Sequence, residues 1–258
     1  MRRCTATSSG KRDFPGRRFE NGKMMDRTEI ISYFKEDPVH FANVEYALRE
    51  GGEIVYAEED GIALRVKKYG IPTVYGLREE SAEKILRLFG KPEILVCSSE
   101  KEAETALKIF PYMTVAKPCL QVRYDGLGEC APPEGFSVGK LADDPGTVSF
   151  VTRTYSLHYG EEEIRTILRE LGMYGAFYEG RIAAYIGRHE EGSVGLLEVM
   201  PEFRRRGLGN FLVRYAAARV ADEGKIAYAQ IVEGNAGSLS LHEKMGIYPS
   251  QKKVFWCY

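Results

Sequence analysis

The stretch Leu197-Glu-Val-Met-Pro-Glu-Phe-Arg-Arg-Arg-Gly-Leu-Gly-Asn210 decides how this sequence is interpreted. It joins a nearly continuous apolar segment, from Val194 to Met200, to a segment that begins at Leu208 and has helical spacing of its apolar residues. An almost wholly apolar strand is typical of a central strand that is covered on both faces. The stretch therefore predicts a buried strand, a glycine turn and a long helix in immediate succession.

The glycine turn has the composition of an anion site. Gly207 and Gly209 permit a positive φ angle and a close approach of the backbone. The first N–H groups of the following helix lack partners within the helix and lie at the positive end of its dipole. With the charges of Arg204, Arg205 and Arg206 beside them, these groups suit a pyrophosphate. A solvated basic turn, with glycines only for sharpness, is the alternative.

Two common nucleotide-binding motifs do not fit this turn. A dinucleotide-binding fold needs G-x-G-x-x-G, and Leu212 stands at the position of the third glycine. A P-loop needs Gly-Lys followed by Ser or Thr, and no Gly-Lys pair in this chain has that neighbour.

Charge and length bound the function. The chain has 258 residues, with 36 Lys and Arg against 37 Asp and Glu, so its net charge is -1. A protein that binds a nucleic-acid backbone usually carries a basic surplus, so no nucleic-acid partner is expected. No apolar run approaches the length of a membrane span, so no membrane partner is expected either.

Cysteine and histidine usage gives no sign of a metal site. The five cysteines are odd in number and widely spaced, which favours reduced thiols in a cytoplasmic protein. His242-Glu243 begins like a metalloprotease helix, but Gly246 stands where the second histidine is needed. We therefore expect no metal.

The organisation of the chain suggests two related halves. We predict a disordered basic tail over residues 1–26, an N-terminal domain over 27–124, a linker rich in Gly and Pro over 125–135, and a C-terminal domain over 136–258. Both domains show the order helix, helix, hairpin, strand, helix, strand, helix, strand, which indicates an internal duplication. The alternative is the ordinary alternation of any α/β chain.

Two motifs resemble one family. Arg204-Arg-Arg-Gly-Leu-Gly209 fits the R/Q-x-x-G-x-G/A signature of GNAT superfamily N-acyltransferases, and Val199-Met-Pro201 fits the V-x-P that commonly precedes it. The segment from Asn235 to Gly246 resembles the later N-x-x-S/A…L-x-K-x-G helix of the family. The element order from Phe136 to Tyr258 is also that of the GNAT fold, an α/β fold with a mixed central sheet flanked by helices.

This resemblance implies acetyl-CoA, or another short acyl-CoA, as donor. Backbone N–H groups from Arg205 to Asn210 would hold the pyrophosphate, the main chain at Val199 would bond the pantetheine, and Asn235 with Ser238 would border the pantetheine arm. The implied donor-binding residues are Val199, Arg204, Arg205, Arg206, Gly207, Leu208, Gly209, Asn210, Asn235 and Ser238. Asn235 could equally be a plain helix N-cap.

The N-terminal half departs from the pattern. Its matching turn has no R-x-x-G-x-G, and Glu79 and Glu80 sit at the helix start, where they would repel a pyrophosphate. We predict a degenerate GNAT-like N-terminal domain without a donor site, an architecture that resembles glycine N-acyltransferase-like proteins.

Acyl transfer to an amine needs a base, because an alkyl amine is protonated at neutral pH. Glu198 is the candidate base, as a lone carboxylate in an apolar strand; its alternative role is a structural pair with a nearby arginine. His242 stands where the family often has the tyrosine that protonates the departing thiolate, and it is the candidate acid. It could instead only pack, in which case Tyr228 or Tyr248 is a replacement donor.

The acceptor is expected at the loop between the first two helices of the C-terminal domain. The candidate residues there could bind a carboxylate or an aromatic group, although Tyr155 could belong to the core: they are Arg153, Tyr155, His158 and Tyr159. The sequence thus predicts an N-acetyltransferase acting on a small-molecule amine by direct attack. The alternative is a sensor of the same fold that binds CoA or a metabolite without catalysis.

Overall fold

A computed structural model of the chain describes residues 24–67, 70–155 and 159–258. The predicted basic tail, apart from residues 24–26, and His158 lie outside the described residues. No described helix is both long and apolar enough to cross a membrane.

The N-terminal half consists of four helices and five strands in the predicted order. Asp26 caps the first helix through a capping box with Glu29, and Ser99 caps the fourth by accepting from the Glu102 N–H. The elements are α1 (Arg27–Tyr33), α2 (Ala42–Arg49), β1 (Glu53–Glu58), β2 (Gly61–Arg65), β3 (Pro72–Tyr75), α3 (Glu79–Arg87), β4 (Leu95–Cys97), α4 (Glu100–Ile109) and β5 (Cys119–Arg123).

The C-terminal half repeats this order and adds a strand at its start. Asp144 caps the fifth helix, with Pro145 in its first turn, and the helix α6 continues as a π-helical turn over Ile167–Leu171. The elements are β6 (Phe136–Lys140), α5 (Pro145–Thr154), α6 (Glu161–Thr166), β7 (Tyr174–Tyr178), β8 (Arg181–Arg188), β9 (Val194–Val199), α7 (Leu208–Asp222), β10 (Tyr228–Val232), α8 (Ala236–Lys244) and β11 (Lys253–Cys257).

The strands form two sheets. One has seven strands in the order β1-β2-β3-β4-β11-β5-β10, and the other has four in the order β6-β7-β8-β9. The edge strands β9 and β10 lie side by side but belong to different sheets. This is the mixed α/β architecture that the sequence predicted, with a gap between two strands of the C-terminal half.

The last strand connects the two halves. β11 lies between β4 and β5, with Trp256 opposite Val96 on one side and Val254 opposite Cys119 on the other. Both neighbours belong to the N-terminal half, whereas β5 in turn pairs with β10 of the C-terminal half. The predicted domains over 27–124 and 136–258 therefore share one sheet.

The largest apolar core lies in the C-terminal half, around the long helix α7. Leu208, Leu212 and Val220 of that helix are buried against the strands β7, β8 and β9. Removing apolar surface from water contributes about 25 cal/mol per Å², and this burial holds α7 against the sheet directly after β9.

Candidate functional site

The glycine turn follows β9 directly and leads into α7. Gly207 is the N-cap of α7 in the left-handed region, at φ +83°, and makes no side-chain cap. Arg205 also has a positive φ, of +65°, which is unfavourable by about 1–2 kcal/mol for a residue with a side chain. No acidic residue lies in the first turn of α7. The helix start is thus left free of negative side chains, as an anion site requires.

The three arginines of the turn are exposed, and two of them, Arg204 and Arg206, have different contacts. The Arg206 guanidinium lies 5.6 Å from the centre of the Phe203 ring. Arg204 turns back towards the strand: its Nε donates to the Val199 carbonyl at 3.0 Å, and its Nη2 lies 3.3 Å from Glu198 Oε1. Arg204 therefore occupies the main-chain group that the family resemblance assigns to pantetheine.

The predicted donor residues cluster around the gap between β9 and β10. A Cβ atom on Gly209 would lie 3.5 Å from Leu241 of α8 and 4.0 Å from Leu197 of β9, so Gly209 faces this gap. Asn235 caps α8, because its Oδ1 accepts from the Ser238 N–H at 3.0 Å. The capping role named as an alternative for Asn235 is therefore present in the structure.

The remaining donor candidates occupy the first turn of α7. Leu208 is buried beneath it, and the Asn210 side chain accepts from Arg214 Nε at 2.8 Å. The Asn210 side chain is thus engaged within its own helix. The backbone N–H groups are therefore the donors of this turn that are left for an anion.

Glu198 lies on β9 opposite Tyr185 of β8, with 19% of its side chain exposed. Tyr185 is fully buried, and its hydroxyl lies 2.9 Å from Thr154 Oγ1. Glu198 forms an ion pair with Arg204, which is the kind of structural pair with a nearby arginine that the sequence analysis gave as its alternative role. Because the Arg204 side chain is 58% exposed, this pair is worth little and can be exchanged for another anion.

His242 is buried, with both ring nitrogens engaged. Its Nδ1 lies 2.7 Å from the Ser238 carbonyl and its Nε2 lies 2.8 Å from the Tyr124 hydroxyl. A carbonyl can only accept, so Nδ1 carries the proton and Nε2 accepts from Tyr124. Burial lowers the pKa of His242 and raises that of Tyr124. This arrangement disfavours proton donation by His242 at neutral pH.

The acceptor candidates gather at the end of α5. Tyr155 follows that helix, and its hydroxyl lies near the backbone of Leu196, which has a φ of +49° at a bulge of β9. The ring centres of Tyr155 and Tyr159 lie 5.8 Å apart, and the Tyr159 hydroxyl lies 2.9 Å from His189 Nδ1. Arg153 is exposed in the last turn of α5.

Sequence reasoning missed His189, although it stands immediately before the turn Glu190-Glu191-Gly192 that joins β8 to β9. The partner of His189, Tyr159, stands thirty residues earlier in the chain, so no local pattern indicates their contact. The turn after His189 is the only nearby feature that could have drawn attention to it.

The N-terminal half fills the matching gap with a carboxylate. Glu102 is almost fully buried; it accepts from the Leu77 and Ser98 N–H groups at 3.0 and 2.8 Å and from Ser98 Oγ at 2.6 Å. Burial raises the pKa of Glu102, and these hydrogen bonds oppose that rise. Glu102 is the third residue after the cap Ser99, as Ser238 is after the cap Asn235.

The strands around Glu102 are also closed. β3 and β4 are hydrogen-bonded parallel neighbours, with Thr73 opposite Val96, whereas β9 and β10 belong to separate sheets. The strands β9 and β10 of the C-terminal half are therefore separated by an open gap. The corresponding strands β3 and β4 are paired, and the Glu102 carboxylate fills the space at their ends.

A cavity of about 480 Å³ lies beside the N-terminus of α5. Its charged lining residues are Asp144, Arg181 and Glu202, and none of the predicted site residues contributes to it. Over residues 24–67, 70–155 and 159–258, no group of three or more His, Cys, Asp or Glu side chains could hold a metal ion.

Comparisons with known proteins agree with this geometry. Residues 170–256 match the model of the FR47-like protein family. No curated protein sequence matches the chain at a significant level. The X-ray structure of a Drosophila protein is similar over 91% of this chain and 97% of its own, with 11% identity and a TM-score of 0.63.

Two bacterial structures give the same result. A GCN5-related N-acetyltransferase from Kribbella flavida covers 85% of this chain and 93% of its own, at 15% identity and a TM-score of 0.54. A GCN5-related N-acetyltransferase-like protein from Streptococcus suis covers 89% and 97%, at 11% identity and a TM-score of 0.51. At such identities these likenesses establish the fold.

Proposed function

We propose that the C-terminal part of the chain belongs to the GNAT superfamily and that the chain is an acyl-CoA-dependent N-acyltransferase. The donor is acetyl-CoA or another short acyl-CoA, and the acceptor is a primary amine of a small molecule. The observation that carries the proposal is the uncapped start of α7, free of acidic residues, beside the gap between β9 and β10. This combination offers an anion site and, next to it, a place for an extended arm.

In this proposal the donor lies along the gap. The backbone N–H groups from Arg205 to Asn210 hold the pyrophosphate, Val199 bonds the pantetheine through its main chain, and Asn235 and Ser238 border the arm. Arg204 now bonds the Val199 carbonyl and Glu198, and it lies within the segment that would meet the phosphates. A bound pyrophosphate competes for its guanidinium, so donor binding would free both Val199 and Glu198.

Glu198 then serves as the general base. The amine nitrogen forms a bond to the thioester carbonyl carbon, its proton passes to the Glu198 carboxylate directly or through water, and the carbon–sulfur bond breaks. A thiol has a pKa of about 8.5, so the departing thiolate takes a proton from water without a dedicated acid. This assignment replaces the predicted acid role of His242, whose ring nitrogens are both engaged.

The proposal is tested by measuring thiol release from acetyl-CoA with a panel of primary amines, together with the mass of the acetylated product. Amine-dependent thiol release with an N-acetyl product is expected. Calorimetric binding of acetyl-CoA without turnover on any amine would favour the non-catalytic sensor instead. Absence of binding and turnover alike would remove the proposal.

A further inference from the structure

Glu191, in the turn between β8 and β9, is a half-buried carboxylate without a cationic partner among the residues that the structure describes. Its Oε1 accepts from Ser193 Oγ at 2.5 Å, and its backbone carbonyl accepts from the Tyr228 hydroxyl at 2.9 Å. The cations Arg188 and Lys225, near the same end of the sheet, are both paired with Glu223. Glu191 is thus held in place, and none of the described Lys, Arg or His side chains forms an ion pair with it.

The N-terminal half fixes this turn. Gly192 has a φ of +99°, and a Cβ atom there would come within 2.1 Å of the Tyr46 ring of α2. Tyr46 in turn lies 5.6 Å, between ring centres, from Tyr228, whose hydroxyl holds the Glu191 carbonyl. The N-terminal half thereby holds the backbone of the turn that carries Glu191.

Aromatic rings lie next to the turn that contains Glu191: the Tyr159 hydroxyl is 2.9 Å from Nδ1 of His189, two residues before Glu191, and the ring centres of Tyr159 and Tyr155 are 5.8 Å apart. Burial raises the pKa of Tyr155 to about 12, and the charges of Glu198 and then Glu191 add to that rise. Burial likewise raises the pKa of Tyr258 to about 12, with Glu191 as the leading charge. We call Tyr155, Tyr159 and Tyr258 the tyrosine strip. The negative charge of Glu191 acts on all three hydroxyl groups, and that of Glu198 acts on Tyr155 as well.

The two carboxylates are far apart along the same strand. From Val194 to Glu198, β9 spans about 13 Å at roughly 3.3 Å per residue, and Glu191 lies three residues before Val194. An amine at Glu198 and a group at Glu191 would thus be separated by more than about 13 Å. The side chains of the tyrosine strip are half-buried or exposed, so they are accessible to a ligand.

We propose that Glu191 and the tyrosine strip form a second cation subsite, and that the acceptor is a long linear diamine or polyamine. One primary amine reacts beside Glu198 while a distant ammonium group binds Glu191. A carboxylate and aromatic faces are the two protein groups that attract an ammonium ion, and the apolar parts of the rings suit the methylene chain between the charges. This inference rests on the proposed acetyltransferase function.

The experiment compares linear diamines of increasing length, up to an extended length of about 15 Å, with monoamines of matched length, in the full chain with acetyl-CoA. We expect kcat/KM to rise with diamine length and to exceed that of the matched monoamine. Glu191→Gln should raise the KM of long diamines about tenfold and leave the monoamine KM, kcat and the KM of acetyl-CoA unchanged. Glu190→Gln removes the same charge from the neighbouring, exposed position and should change none of these.

The outcomes separate this inference from the function on which it rests. Turnover of amines without a preference for diamines, or an unchanged diamine KM in Glu191→Gln, overturns the subsite and leaves the acetyltransferase standing. A diamine KM that rises in Glu202→Gln but not in Glu191→Gln would locate the acceptor in the cavity beside α5 and would equally overturn it. Absence of turnover on every amine refutes the proposed function itself.

Discussion

Gly209→Asp should stabilise α7 and at the same time weaken acetyl-CoA binding. The first turn of this helix contains no acidic residue and no side-chain cap, so an aspartate there complements the helix dipole by about 0.3–1 kcal/mol. The new Cβ would lie 3.5 Å from the nearest atom of Leu241, an ordinary van der Waals distance. The substitution is therefore expected to leave the melting temperature unchanged or slightly raised.

The effect on the donor has the opposite sign. Two unit charges about 4 Å apart repel each other by about 1 kcal/mol in water, and more beside a protein surface. A pyrophosphate carries two negative charges, so the repulsion amounts to about 2 kcal/mol, roughly thirtyfold in Kd. We expect a loss of at least tenfold in acetyl-CoA affinity from a protein that is no less stable than the original.

Isothermal titration calorimetry with acetyl-CoA, beside a thermal melt of the same sample, measures both quantities. Gly209→Ala is the control, because it adds the Cβ without the charge and should bind acetyl-CoA nearly as well as the original chain. An unchanged Kd in Gly209→Asp would refute the anion site at this turn. An equal loss in Gly209→Ala would assign the effect to space rather than to charge.

Three further results are expected. Glu198→Gln should lower kcat by about 10²–10⁴ with little change in acetyl-CoA affinity and with partial rescue at higher pH; a normal kcat at pH 7 would move the base role elsewhere. Calorimetry should give one acetyl-CoA per chain, since Glu102 fills the gap of the N-terminal half; two per chain would contradict the degenerate half. Burial lowers the pKa of His40 to about 4, so the unfolded chain binds this proton more readily, and stability should be complete above pH 6.5 and fall as the pH drops towards 4, by at most about 3 kcal/mol. Chemical denaturation across this range should show the fall, and His40→Gln should reduce it; an equal slope in the variant would assign the fall to other groups.

Local signals in the sequence were sufficient for most elements. The turn Glu59-Asp60, followed by Gly61, joins β1 to β2, Ser99 caps α4, and α7 begins at Leu208 directly after the glycine turn. Each of these depends on residues within a few positions of one another, where capping, turn chemistry and periodicity act. The order of elements in both halves was predictable for the same reason.

Long-range pairs were not predictable. Tyr124 and His242 are 118 residues apart, and no local sequence pattern near either residue predicts the hydrogen bond between them. The burial of Glu102 between two strand ends could not be predicted either, because a glutamate in the first turn of a helix such as α4 is normally exposed. The alternative role of Glu198, a structural pair with a nearby arginine, could be stated from the sequence because the partner, Arg204, stands only six residues beyond it in the chain.

The position of β11 has a consequence for how the chain folds. β4 and β5 can be joined into one sheet only after Lys253–Cys257 has been synthesised, more than 150 residues after β4. Until the C-terminal half has been synthesised, one edge of β4 and both edges of β5 therefore lack their partners, and unpaired edges are the surfaces most prone to wrong pairing. Such distant strand pairing is slow to form because loop-closure entropy is lost before the contacts are gained. The two halves should consequently unfold as one cooperative unit, and neither half expressed alone should have a complete sheet.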